Sequence, residues 1–149
     1  MTANELNKSI DPSKKFDHIA IAVRDLEKSS AFYCNLLDLK EVHREYVKNE
    51  DLDVVFLEPT NSNSCSYKIE LISPRPNNKS VTKFLTQRGE GIHHIAYLVE
   101  NLNEAISDFK KSGAQIISGY PRKGSRGKTI AFFSPKTTNG VLIEICAIN

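Results

Sequence analysis

Apolar and polar positions alternate along two stretches of the chain, FDHIAIAV (16–23) and IHHIAYLV (92–99), with the period of two that marks a half-buried strand. Each stretch runs into a helix N-cap residue, Asp25 or Asn101. The spacing then changes to that of a helix, with Leu26, Ser30, Tyr33 and Leu37 recurring on one face in the first case and Leu102, Ile106 and Phe109 in the second. Gly113 stands where the second helix needs a residue free to take positive φ. Apolar runs over 52–59, 66–73, 128–135 and 140–147 read as further strands, and 80–91 as a short helix with a turn.

Laid over one another, residues 16–37 and 92–113 pair His18 with His94, Ile19 with Ile95, Ala20 with Ala96, Val23 with Val99 and Leu26 with Leu102. The chain therefore reads as two copies of one βαβββ unit. The predicted fold is α+β, two paired βαβββ modules related by a pseudo-twofold axis and forming a curved mixed sheet around a cleft. Module one covers about 15–75 and module two about 91–149 of a single domain over 15–149, and residues 1–14 form a polar tail predicted to be mobile.

The repeat places chemistry in matched positions. In KIEL and LIEI, Glu70 and Glu144 sit inside apolar strands, where a carboxylate is costly to bury unless it is paired, hydrogen-bonded or bound to a metal. His18 precedes Glu70 by 52 residues and His94 precedes Glu144 by 50. A pseudo-twofold axis would gather all four as a His₂Glu₂ set, suited to a divalent ion and, if octahedral, leaving two positions open for substrate oxygens. Strand alternation turns His93 to the face opposite His94, and His43 reads as a polar residue at a helix-to-strand exit.

Composition narrows the setting without naming a partner. The chain has 149 residues, 26% of them charged, and a net charge of +2, which gives no reason to expect nucleic acid. Its three cysteines, Cys34, Cys65 and Cys146, match neither a disulfide framework nor a metal knuckle and read as reduced thiols. No run is long and apolar enough for a membrane span, and the N-terminus lacks the pattern of a secretory signal or a mitochondrial presequence. A cytoplasmic homodimer is expected, the dimer from apolar sheet edges in so small a protein. PRKGSRGK (121–128) sets Arg122, Lys123, Arg126 and Lys128 around two glycines, so Arg122 and Lys128 are candidates to hold a phosphate-bearing handle.

These residues resemble the vicinal oxygen chelate superfamily of glyoxalases, bleomycin resistance proteins and dioxygenases, whose members pair βαβββ modules around a metal that chelates substrate oxygens. FDHIAIAVRDLEKSSAFY (16–33) would fit almost any member, whereas KFLTQRGEGIHHIAY (83–97) with PRKGSRGKTIAFFSPKTTNGVLIEI (121–145) is similar to the methylmalonyl-CoA epimerases. The resemblance implies His94 and Glu144 as metal ligands with His18 and Glu70 completing the set, and a divalent cobalt, manganese, nickel, zinc or magnesium ion as cofactor. It implies an acyl-CoA substrate whose α-proton is removed and returned on opposite faces, the enolate charge being taken up by the ion. Glu144 is implied as one acid–base group, and Glu70 is the candidate for the other. Many relatives carry a further glutamate where this chain has Val54, and the adjacent Asp53 is turned away by strand alternation. Glyoxalase I is the alternative enzyme, since the same ligand set serves the glutathione hemithioacetal of methylglyoxal. A metal-free binding or resistance protein would not need four such residues, and an iron dioxygenase would use three.

Overall fold

A computed structural model describes residues 14–148 except 62, 64 and 65. The expected N-terminal tail and Cys65 thus lie outside the described residues, apart from Lys14 at the tail's end. The first half runs β1 (Lys15–Ala22), α1 (Leu26–Leu37), β2 (Leu39–Val47), β3 (Leu52–Pro59) and β4 (Ile69–Pro74). Helix α2 (Lys79–Arg88) leads to β5 (Gly91–Leu98), α3 (Leu102–Lys111), β6 (Arg122–Lys123), β7 (Thr129–Phe133) and β8 (Ile143–Ala147).

The N-caps fall where the pattern places them. Asp25 accepts a hydrogen bond from the Lys28 amide and Asn101 from that of Glu104, each replacing a partner that the first helical turn lacks, a contribution of about 1 kcal/mol. Asn78 does the same for α2 through the Val81 amide. Beyond α3, Gly113 takes φ 91°.

All eight strands join one mixed sheet in the order β2-β3-β4-β1-β5-β8-β7-β6. The order reads alike from either edge, with β1 and β5 antiparallel at the centre and β4 and β8 parallel to them outside. Side-chain alternation divides the sheet into two faces. On the outer face α1 covers Val23, Leu39, Val55, Leu57 and Leu71, and α3 covers Val99, Ala131, Phe133, Ile145 and Ala147. Both helix faces and both sheet faces are apolar, so their burial drives the curl. The inner face is closed at one end by α2, whose Val81 and Leu85 pack on Val54, Phe56 and Ile72.

Three strands begin later than their apolar runs. β4 starts at Ile69, where its parallel pairing with Ile19 begins. β7 starts at Thr129 and ends before a 3-10 turn at Pro135–Thr137, and β8 starts at Ile143 because Val141 is held in the turn by the Thr138 carbonyl. β2 is an edge strand with a mostly exposed sequence, LKEVHREYV, and carries no apolar alternation to announce it.

Candidate active site

The register of the central strands brings the predicted residues together. Glu70 of β4 lies beside Ala20 of β1, which pairs with His94 of β5. His18 pairs with Ala96, which lies beside Glu144 of β8. The two rows are related by the pseudo-twofold axis, and side chains in register point to the same face. Ala20 and Ala96 are fully buried between their larger neighbours. Having only a methyl group each, they leave the space into which the histidines and glutamates lean.

Four side chains meet there. His18 Nε2 is 3.2 Å from Glu70 Oε2, and His94 Nε2 is 3.5 Å from the same oxygen and 3.3 Å from Glu144 Oε2. His18, Glu70 and His94 offer donor atoms all within 4.8 Å of one another, and Glu144 joins them through His94. Both Nε2 atoms are buried without a hydrogen-bond partner, because these close contacts lie off the line that a ring N–H requires. Orphaned nitrogens aimed at carboxylate oxygens are what an ion would satisfy, since donors bound at about 2.0–2.2 Å lie about 3 Å apart. The residues fit a divalent cation of the borderline class.

Each histidine has a matched aromatic support that sequence reasoning missed. Phe56 pairs with Glu70 and meets the His18 ring edge-on at 5.3 Å, and Phe132 pairs with Glu144 and meets His94 at 5.0 Å. The repeat carried the signal, since FLEP (56–59) and FFSP (132–135) precede the two glutamates at similar distance.

The other two neighbours are not matched. Asp17 and His93 are skipped by the β1–β5 register and sit in bulges, where one extra residue re-aims the chain. Asp17 Oδ2 accepts from His18 Nδ1 at 2.6 Å. His93 Nδ1 lies 3.0 Å from His94 Nδ1. The expectation that His93 faces away is therefore corrected: the bulge breaks the alternation, and His93 lines the same cavity as His94. Burial, reinforced by His94, lowers its pKa to about 4, so the ring is neutral at pH 7.

Charge is distributed around His18 so as to hold it. Burial disfavours its cationic form, but Glu70 and the Asp17 hydrogen bond outweigh that and raise its pKa to about 10. Burial works against ionisation of Glu70 and of Asp17 too. His18 overcomes it for Glu70, and His18 with Arg126 for Asp17, which is held well below the usual carboxylate range.

Three cations of the basic loop are paired with carboxylates of the fold. Lys128 is buried, with its Nζ 3.0 Å from Asp17 Oδ1, and Arg126 binds Asp17 Oδ2 while stacking 4.0 Å over the Phe56 ring. Arg122 does line the cavity but is clamped by Glu50 through bonds of 2.5 and 2.7 Å. Ion pairing within the fold thus uses the cations predicted to grip phosphate. Asp53 points outward to Arg75, as alternation requires, and Val54 is buried against the cavity. His43 lies on β2, 3.1 Å from Glu45. Burial, with Glu144, pushes the Cys146 thiol up to about 12, and Cys34 is a free, half-buried thiol.

Glu70, His94 and Glu144 form the floor of a cavity of about 290 Å³ between the halves of the sheet, with His18 buried behind Glu70, and its walls are apolar side chains including Val54, Ile72, Ile130 and Leu142. A polar floor under apolar walls suits a small ligand with an oxygen-rich end.

A family model described as the glyoxalase/bleomycin resistance protein/dioxygenase superfamily matches residues 17–132. The chain belongs to this superfamily. It is 40% identical over 132 residues to an uncharacterized Bacillus subtilis protein, YqjC, covering 89% of this chain and 91% of that one. It is 35% identical over 132 residues to the human mitochondrial methylmalonyl-CoA epimerase, covering 88% of this chain and 72% of that one. Among solved superfamily structures, a Streptomyces coelicolor methylmalonyl-CoA epimerase in complex with 2-nitronate-propionyl-CoA superposes with a TM-score of 0.81 at 30% identity, over 90% of this chain and 96% of that one.

Proposed function

We propose that the chain is a metal-dependent epimerase that interconverts the 2R and 2S forms of methylmalonyl-CoA. The observation that carries this reading is the convergence of His18, Glu70, His94 and Glu144, two of them with orphaned ring nitrogens, beneath an apolar cavity. His18 and His94, with Glu70 and Glu144, would hold the ion. A divalent cation there supplies positive charge where the thioester oxygen becomes negative as the α-proton leaves.

The chain's own groups do the rest. The apolar walls exclude water and receive the α-methyl group. In this reading Glu144, which is buried beneath them, takes the α-proton, and Glu70, on the other strand row, is the candidate for the group that returns one. Val54 presents no proton-transfer group, so in this reading the second acid–base role is given to a carboxylate of the floor.

The test is isotope exchange at the α-carbon. Protein loaded with cobalt or manganese, incubated with (2R)- or (2S)-methylmalonyl-CoA in D₂O, should incorporate deuterium with loss of optical purity. Exchange that is absent with the ion bound, while the glutathione hemithioacetal of methylglyoxal turns over, would replace this reading by glyoxalase I.

Ala96→Val provides a second check on the floor. Valine favours a strand, but its added methyl groups enter the space between His18 and Glu144, an overpacking of about 1–3 kcal/mol. Metal affinity measured by calorimetry should fall at least about tenfold with the circular dichroism spectrum retained. Unchanged affinity would show that the four side chains do not need that space.

A further inference from the structure

Outside the His/Glu floor, the Lys, Arg, Asp and Glu side chains that line the cavity among the described residues are Glu50 and Arg122. Glu50 stands in the turn between β2 and β3, where its carbonyl accepts from the Asn78 side chain at 2.7 Å and its amide donates to the Val47 carbonyl. Arg122 comes from β6 in the other half of the sheet and meets the Glu50 carboxylate with two bonds, of 2.5 and 2.7 Å. The Glu50 side chain is only 13% exposed, and a two-bond pair of this kind holds both partners in a fixed geometry.

Tyr120 is the third member of this group. Its ring lies 4.3 Å beneath the Arg122 guanidinium and meets Phe132 edge-on at 5.2 Å, and Phe132 in turn supports His94. Tyr120 therefore lines the cavity one aromatic ring away from the floor. Its hydroxyl oxygen accepts a hydrogen bond from Arg122 Nη2 at 2.9 Å, the same nitrogen that binds Glu50 Oε2. A phenol can both accept and donate, and among the described residues this one makes no second hydrogen bond. Burial, reinforced by Glu50, pushes the phenol up to about 12, so it keeps its proton at neutral pH.

We propose that Tyr120 selects acyl groups that bear a free carboxylate, its hydroxyl donating to a carboxylate oxygen of the bound substrate. Glu50 neutralises Arg122, so what the group offers the cavity is an oriented donor whose accepting side is already taken. The walls beside it, Val54, Ile72, Ile130 and Leu142, offer no side-chain hydrogen bond. A substrate without an acceptor at this place would leave the hydroxyl unpaired when water is displaced, which is how a polar group in an apolar cavity discriminates. A carboxylate has two oxygens, so it can face the floor with one and accept from Tyr120 with the other. The choice of the methylmalonyl group rests on the epimerase reading, whereas carboxylate recognition by Tyr120 can be tested without it.

The test is calorimetric titration of manganese-loaded protein with two thioesters. One is racemic methylmalonyl-CoA, a mixture in which epimerisation changes nothing, and the other is propionyl-CoA, which lacks the carboxylate. The unsubstituted protein should prefer methylmalonyl-CoA. Tyr120→Phe keeps the ring and its packing and removes the hydroxyl. It should bind methylmalonyl-CoA about tenfold more weakly, with propionyl-CoA binding held within about twofold and divalent-ion uptake unchanged. With methylmalonyl-CoA as substrate, KM should rise about tenfold and kcat stay within about threefold. The role is excluded if Tyr120→Phe binds methylmalonyl-CoA as tightly as the unsubstituted protein, if it weakens both thioesters equally, or if the unsubstituted protein does not prefer methylmalonyl-CoA. Unchanged binding in Tyr120→Phe together with intact α-proton exchange would sink this role and keep the epimerase. A preference for methylmalonyl-CoA that depends on Tyr120, without exchange in the unsubstituted protein, would sink the epimerase and keep the role.

Discussion

His94→Ala is expected to weaken divalent-ion binding at least about 100-fold and to bring α-proton exchange below detection. His94 occupies the centre of the site, with its Nε2 3.5 Å from Glu70 and 3.3 Å from Glu144. Without the imidazole, Glu144 loses its connection to the His18–Glu70 pair. The backbone pairing of β5 with β1 and β8 does not use the side chain, so the fold should survive, and mass spectrometric metal analysis can be read on folded protein. Glu144→Gln keeps shape and hydrogen-bonding capacity but removes a charge. It should retain part of the metal and lose exchange, which separates the acid–base role from the ligand role. A His94→Ala protein with full metal and full rate would remove His94 from the site.

The quartet was legible because the repeat doubles each signal. One histidine or one glutamate in a strand is ordinary, but His18 and His94 followed at near-equal distance by Glu70 and Glu144 define a symmetry, and the sheet order expresses it. Other features escaped for physical reasons. Alternation misplaced His93 because a bulge inserts a residue without changing composition. The 121–128 cations looked free because their partners, Glu50 and Asp17, are distant in the chain, and ion pairing across such separations leaves no local pattern.

Asp17→Ala is expected to destabilise the protein by about 3 kcal/mol, since removing one member of a buried charge cluster strands the others. Asp17 faces the His18 Nδ1 at 2.6 Å, the Lys128 ammonium at 3.0 Å and the Arg126 guanidinium, all within the fold. For a chain of this length the loss corresponds to a fall in Tm of roughly 6–12 °C. Two roles are combined in that figure, charge balance for Lys128 and orientation of the His18 ring, and a second variant separates them. Asp17→Asn with Lys128→Met replaces the buried pair by an amide and an apolar chain of similar length, so scanning calorimetry should recover at least about half of the lost Tm. If Asp17 serves only to neutralise Lys128, metal affinity should recover with stability. If it also fixes the tautomer and angle at which His18 presents Nε2 to the site, affinity in the stability-restored variant should stay about tenfold low. We expect the second result, because the Asp17 carboxylate is closer to the imidazole than to the ammonium and the bulge that places it is centred on that contact.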